Sequence, residues 1–554
     1  MNLLVALTGR PFLALCLSLA VLSLAACNGG GGGDGDDGGG GDQGAQPISQ
    51  AEAYAFLNKA SFGATAEDAE HLIDLEFDVW LDEQVAEPAS LQLPYLQSLP
   101  KPQNIGLLNI DRVDQWYRNV INGPDQLRQR VAFALSEIFV VSQLSALGQA
   151  PYALADYYDQ LALHAFGNFR QLMEVVTLHP AMGAYLSMLG NQKPNLALNI
   201  RPDENYAREL MQLFSIGLVE LNIDGTQKLD GMGQPIPTYS QSIIEGFAHV
   251  YTGWHYANAP SFEQARRSDD NQVVPMQLYP DFHDDGAKLL LNGEMTAANQ
   301  GGELDLQQAL DNIFNHANVG PFIAIRLIQR LVSSNPSAAY IERIATVFNN
   351  NGVGVRGDLE AVVRAILLDP EAGNAIAAAG QGKLKEPLLR VTQLLRVFDA
   401  RSNSGKFPFA GAYVIFGQGP LQAPSVFNFF TPFYAPTGEI QAANQVSPEM
   451  EIATEYLNTQ LTNYFFGQAF VNTSASTTLG DDDVYIDIDD EIALAGDDAA
   501  LIDSVALQLL GGGVSASLQA ELERMLLLLA GNPEAKVGEA IFLIVSSPEY
   551  AVQR

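Results

Sequence analysis

Four polar side chains, Asn205, Arg208, Glu209 and Gln212, recur at intervals that bring them to one side of a helix. They lie in Arg201-Pro202-Asp203-Glu204-Asn205-Tyr206-Ala207-Arg208-Glu209-Leu210-Met211-Gln212-Leu213-Phe214-Ser215-Ile216-Gly217, where Pro202 suits a helix start and Gly217 its end. At about 100° per residue the four share a face about 100° wide, and Leu210, Met211, Leu213 and Phe214 fill most of the rest. A helix this apolar is expected to be largely buried. Its polar stripe then either lines a cleft, where it could serve a hydrolytic site, or pairs with buried partners. The simplest pairing is local, because Glu204 precedes Arg208 by four residues, a spacing worth ~0.3–0.5 kcal/mol on an exposed helix.

Two further groupings could do chemistry. Glu245 and His249 lie four apart, so both could reach one metal ion, with His283, Asp284 and Asp285 as added ligands. The alternative is a solvated Glu–His pair and an Asx-rich turn beside Gly286. The seven histidines include no His-x-x-x-His pair, and neither a metal nor another cofactor is expected. The second grouping is basic: Arg208, Lys288, Arg326, Arg330, Lys385 and Arg390. Arg326 and Arg330 share one face of an otherwise apolar helix, where like charges repel by a few tenths of a kcal/mol. Something acidic should therefore lie opposite. It is either a carboxylate of this chain, such as Glu209 or Glu386, or an anionic ligand, such as a sulfated or carboxylated glycan. Together with the signature face, Lys288, Arg326 and Arg330 are the anion-site candidates. There is no Gly-x-Ser-x-Gly elbow, and Ser425 in Ala-Pro-Ser-Val reads as a helix cap. Among 64 acidic residues, spacing alone selects no glycosidase-like pair.

The elements that must position these residues are mostly helices. Ser49/Glu52 and Thr65/Asp68 form capping boxes ahead of apolar runs. Helical periodicity continues through 126–144, 153–164, 169–177, 205–217, 242–251, 305–316, 321–332, 338–349, 359–368, 386–398, 449–466, 502–510, 517–529 and 536–546. Strand signals are sparse: Asp224-Gly225 and Asn292-Gly293 are hairpin turns. The expected fold is mainly α, a large multi-helix domain with one or two small β-hairpin insertions. It spans residues 48–554, with an acidic loop at about 474–499 and C-terminal helices over 501–548. No internal repeat is present.

The beginning of the chain is different in kind. An apolar stretch, Pro11–Ala26, ends in Leu24-Ala25-Ala26-Cys27, which resembles the lipobox of a bacterial lipoprotein precursor. The resemblance implies a signal over residues 1–26, lipid on Cys27, and a Gly/Asp-rich tether over residues 27–47. Asn28 after the cysteine implies transfer to the outer membrane. Of the two cysteines, Cys16 would be discarded and Cys27 acylated, which leaves no thiol for a disulfide, for zinc or for catalysis. The net charge of −35 repels nucleic acid, and solubility in a salty setting accounts for it.

The signature over 201–217 resembles the Asn-Glu-Asn-Tyr-Ala-Arg-Glu-Leu motif of the bacterial domain-of-unknown-function family numbered 1800. Phe62-Gly63-Ala64-Thr65, His164–Phe169, Pro180-Ala181-Met182, Thr252-Gly253-Trp254, His283–Lys288, Lys385–Arg390 and Gln422–Phe430 resemble its other blocks, in family order. Asp203 stands where the signature usually has Asn, and Pro194–Ile200 is an insertion. The resemblance implies an exported, mostly helical protein of no established reaction. It also implies a possible partner, an exported sulfatase- or phosphatase-like protein of the family numbered 1501. The functional expectation is a lipid-anchored assisting or binding module that works beside such a hydrolase. The alternative is an exported hydrolase whose cleft joins the Asn205–Gln212 face to the His283–Lys288 loop.

Overall fold

The computed structural model describes residues 47–373 and 382–553. The signal, Cys27 and nearly all of the tether lie outside the described residues. Helix begins at Gln50, where Ser49 and Glu52 close the expected capping box: Ser49 N–H donates to Glu52 Oε2 at 2.9 Å, and Glu52 N–H to Ser49 Oγ at 3.3 Å. Thr65 and Asp68 do the same for Ala66–Leu75. From Ile48 onward the chain packs as one unit around a continuous apolar core that runs from Ala53 to Tyr550.

The core closes the two ends of this unit on each other. Gln50–Ala60 packs against Asp498–Leu510, and the strand Lys383–Leu384 pairs antiparallel with Val552–Gln553. Gln553 Nε2 also donates to Leu331 O at 2.6 Å, at the end of the helix Val319–Leu331. That helix is buried along almost its whole length between its neighbours, chiefly Ala338–Asn349 and Gln126–Ser136. Burial on this scale is the main favourable contribution to folding, at roughly 25 cal/mol per Å² of apolar surface.

The fold is mainly α, as expected, and the two-stranded sheets are small. Trp254–His255 pairs with Gln277–Leu278, and Lys383–Leu384 with the C-terminus. The two expected hairpin turns are present but form only isolated bridges, Leu221 with Gln227 and Leu289 with Met295. At the second turn Asn292 and Gly293 both have positive φ, 59° and 74°, the combination a two-residue hairpin needs.

Several boundaries move for identifiable reasons. The expected helix 126–144 stops at Ser136, because Glu137 turns inward to an arginine and the chain then runs beside residue 421, with Gln143 N–H on Leu421 O at 2.8 Å. The signature helix proper ends at Gln212. Beyond it the turns widen, with Ile216 N–H and Gly217 N–H both on Met211 O, and the chain leaves at Gly217 with φ +73°. A Cβ at Gly217 would lie 3.3 Å from the Phe322 ring. The expected helix 449–466 begins only at Glu455, capped by Thr454, and extends to Phe470.

Within the expected acidic loop, Val484, Ile486 and Ile488 are buried while Asp483, Tyr485 and Asp487 point outward, with Arg401 on Asp487 at 2.7 Å. That stretch is a packed, strand-like segment. Among the described residues no helix is long and apolar enough to cross a membrane.

Candidate functional site

The signature helix lies beside the helix Gln241–Val250, and together they carry Asn205, Arg208, Glu209, Gln212, Glu245 and His249. Arg208 pairs with Glu204 at 2.9 Å, with side chains 40% and 34% exposed, so this is a surface pair of the local kind. Gln241 Nε2 caps both oxygens of Glu204 at 3.0 Å and reaches Glu245 Oε1 at 3.4 Å. Asn205 is exposed and Gln212 half-buried. Glu209 alone turns inward. Burial raises its carboxyl against the pull of Arg208, and its Oε2 has no hydrogen-bond partner, nor does the buried hydroxyl of Tyr239 nearby. The stripe is thus a surface strip closed mainly on itself.

Of the proposed metal ligands, His249 and Asp284 meet, while Glu245 and His283 point elsewhere. His249 Nδ1 lies 2.7 Å from Asp284 Oδ2, whereas Glu245 stays exposed on the neighbouring turn. His283 is buried and faces elsewhere, with Nε2 2.9 Å from Asp305 Oδ2 and Nδ1 2.9 Å from Thr252 O. Lys288 also bonds to Asp305 and to the carbonyls of Asp284 and Gly286. Burial would raise the Asp305 carboxyl, but the bonds from His283 and Lys288 outweigh it and hold it below the usual range. Gly246 sets this geometry. A Cβ there would lie 1.9 Å from Leu289 O, so only glycine lets the helix press against the segment that carries Lys288. Among the described residues no group of three or more His, Cys, Asp or Glu side chains is placed to hold a metal.

The helix Val319–Leu331 brings together the groups that sequence reasoning paired least well. Asn318 fixes it to the exit of the signature helix, donating to Ile216 O and Val219 O at 2.8 Å and accepting from Leu221 N–H at 2.9 Å. Arg330 does face an acid, but that acid is Glu137, at 3.5 Å, with Glu386 in the same network. Glu209, the other expected partner, belongs to the signature strip and does not take part. Lys383 bonds Glu386 at 3.0 Å, Glu449 at 3.4 Å and Arg330 O at 3.0 Å. Arg130 donates to Arg330 O at 2.8 Å. Gln418 Nε2 bridges Glu386 at 2.6 Å and Glu137 at 3.2 Å, and Asn428 Nδ2 donates to Glu137 at 3.0 Å. Three carboxylates thus meet three cations, all buried, and the network joins six separate segments.

The electrostatics within this network are uneven. Burial pushes the Glu137 carboxyl up to about 8, with the Glu386 charge adding to it and Arg330 opposing. Burial acts the same way on Glu386, but Lys383, Arg330 and Arg130 converge on it and bring it down to about 2. Glu386 is therefore the fixed anion of the cluster, and Glu137 holds the proton that can leave. By energetics alone Glu137 would suit a general acid near neutrality. It is sealed, with a side chain 1% exposed, and no substrate can reach it.

One turn before Arg330, Arg326 has no carboxylate. Its guanidinium lies 5.0 Å from the Phe322 ring centroid and 4.7 Å from that of Phe433, and Nη1 donates to Gln329 Oε1 at 2.8 Å. Glu137, Arg130 and Glu449 carried no sequence signal as partners. The Lys383-x-x-Glu386 spacing, within reach of one turn, was the single hint available. Two open cavities, of about 340 and 400 Å³, lie apart from these residues; the larger is lined by Asp156, Gln160, Glu174, Leu178, His179 and Val274 among others.

A protein family described as "Protein of unknown function (DUF1800)" matches residues 55–552, so nearly the whole chain is accounted for by one family. The chain belongs to that family. No curated protein and no solved structure matches it.

Proposed function

We propose that the protein is a non-catalytic binding or assisting module, held to the outer membrane by lipid on Cys27. The observation that carries this reading is the closure of its polar groups on one another: Arg208 on Glu204, Lys288 and His283 on Asp305, and Arg330 on Glu137. A catalytic site leaves its acid, base or nucleophile within reach of substrate. Here the two carboxyls that burial raises to about 8 and about 7, Glu137 and Asp159, are both buried. The family resemblance points to an exported sulfatase- or phosphatase-like protein as the partner.

Purification of the lipidated chain from native membranes tests this directly. The expected result is a hydrolase-like protein retained with it, whose turnover changes when the module is removed, while the module alone hydrolyses nothing. Release of the Cys27→Ser protein from the membrane fraction is expected in the same experiment. Hydrolysis by the purified chain alone would overturn the reading. Such activity would favour the alternative, a hydrolase built on Glu209, whose raised carboxyl and unpartnered oxygen are the observations in its favour. Glu209→Gln would then abolish it.

A further inference from the structure

Arg326 is 8% exposed, yet no acid lies within ion-pair distance of it among the described residues, and the charged group next to it is another cation, Arg330. A guanidinium taken out of water without a counter-charge is costly, and proteins usually offset that cost with a full set of hydrogen bonds. Arg112, which also has no acid within ion-pair distance among the described residues, meets most of that cost: it gives Nε to Asn109 Oδ1 and Nη2 to Gln143 Oε1 and Pro420 O, and only Nη1 lacks a partner. Arg326 meets less of it. Its one hydrogen bond among the described residues uses Nη1, which leaves Nε and Nη2 without an acceptor. Those two atoms, unlike Nη1 of Arg112, are not closed off from solvent.

The remaining edge has a definite shape. Nε–H and Nη2–H are parallel donors at the spacing of the two oxygens of one carboxylate, the bidentate arrangement in which arginine binds most strongly. The guanidinium carbon lies over the ring of Phe322, which is buried, and over that of Phe433, which is 70% exposed. An acid that lies in the plane of the guanidinium would therefore find an exposed aromatic ring beside it. The charge of the ligand is also bounded. A single cation is available, in a chain of net charge −35, so a polyanion is repelled and one negative charge is matched.

We infer that Arg326 and Phe433 form a receptor for a small monocarboxylate with an apolar body. The guanidinium takes the carboxylate and the exposed ring covers the apolar part. The inference goes beyond the proposed function and stands whether the chain assists a hydrolase or is one. It also narrows the sulfated or carboxylated glycan that the basic pair suggested at first to a single small carboxylate.

Calorimetric titration of the full chain with benzoate, acetate and inorganic phosphate at matched ionic strength tests it. Benzoate is expected to bind saturably, acetate more weakly, and phosphate not at all in the same range. Arg326→Gln should weaken benzoate by roughly tenfold or more, the worth of a charge-assisted hydrogen bond. Phe433→Ala, at an exposed ring that folding does not need, should weaken benzoate and leave acetate unchanged. The inference is overturned by absence of saturable benzoate binding, by equal binding to Arg326→Gln, or by phosphate competing as well as benzoate.

Discussion

Arg330 and Arg326 occupy the same face of one helix, a turn apart, and are buried to nearly the same degree, yet their surroundings differ in kind. Around Arg330 lies a network of three acids and three bases, bridged by Gln418 and Asn428, although Arg130 Nε and Nη1 have no acceptor in it and the Arg330 guanidinium also lies 4.6 Å from the Phe430 ring. Around Arg326 there are two aromatic rings and one amide. Burial alone therefore says little about what a charge is for. A buried ion whose partners are all present is part of the architecture. One whose partners are missing, and whose free edge reaches solvent, is poised for something that arrives from outside.

The most forceful way to break the closed side is to remove its fixed anion. Glu386→Gln leaves Lys383 and Arg330 short of a counter-charge in a dry environment and should destabilise by about 3–5 kcal/mol, as breaking buried pairs does. Urea denaturation followed by circular dichroism measures it. A loss below 1 kcal/mol would mean that water or a rearranged Glu449 neutralises the cations, and the network would not be closed in the sense argued here.

The pH dependence of stability sharpens the same point at smaller scale. Glu137 rises from 4.5 to about 8 on folding, so between those values the folded chain holds a proton that the unfolded chain has lost. Its contribution is complete below pH 4.5 and is eroded as pH rises towards 8, with a limiting slope on the order of 1 kcal/mol per pH unit. Glu386, lowered to about 2, acts in the opposite sense and loses its contribution as pH falls from 4.5 towards 2. Glu137→Gln, which keeps the shape of the protonated acid, should flatten the decline between pH 5 and 8. Denaturation midpoints across that range decide it, and an unchanged slope in the variant would assign the proton to another group.

Much of the fold was legible because helix signals are local. Ser49/Glu52 and Thr65/Asp68 cap helices where the residue pattern put them, and Asn292-Gly293 turns as its backbone preferences require. The helix Leu108–Asn122 was not legible. It buries Asn109, Arg112, Asp114 and Asn119 alongside its apolar residues, so its polar positions do not mark a solvent face. The segment Val484–Ile488 hid in the opposite way, because outward acids surround three inward apolar residues. The partners of the candidate residues, Glu386 apart, were hidden for a related reason. Arg326 and Arg330 were identifiable, but their partners come from residues 137, 383, 386, 418, 428, 433 and 449, and long-range pairing leaves no mark in spacing.

The signature strip offers a weaker contrast with the network. Arg208→Ala removes a pair that is 40% and 34% exposed, so its loss should cost less than about 1 kcal/mol. A midpoint shift like that of Glu386→Gln would show that Arg208 also holds the buried Glu209 carboxylate, and the strip would then belong with the closed network. A small shift leaves Asn205, Arg208 and Gln212 available as a surface for a partner.

The smallest effect is expected at Arg326 itself. Arg326→Met keeps the length and packing of the stem while removing a charge that no acid among the described residues compensates. Two effects oppose each other. Loss of the contacts to Phe322 and Phe433 should cost up to about 2 kcal/mol, the range for a desolvated cation over a ring. Relief from holding an unpaired, largely buried guanidinium acts the other way, and apolar replacement of buried charge is often neutral or stabilising. The net change should therefore stay within about 1 kcal/mol of zero in either direction. That near-neutrality distinguishes the two arginines most cleanly, because Arg330→Met would strip Glu137 and Glu386 of a cation and should cost about as much as Glu386→Gln. If Arg326→Met instead lost several kcal/mol, the arginine would be part of the architecture like its neighbour, and the free edge would have no need of a ligand.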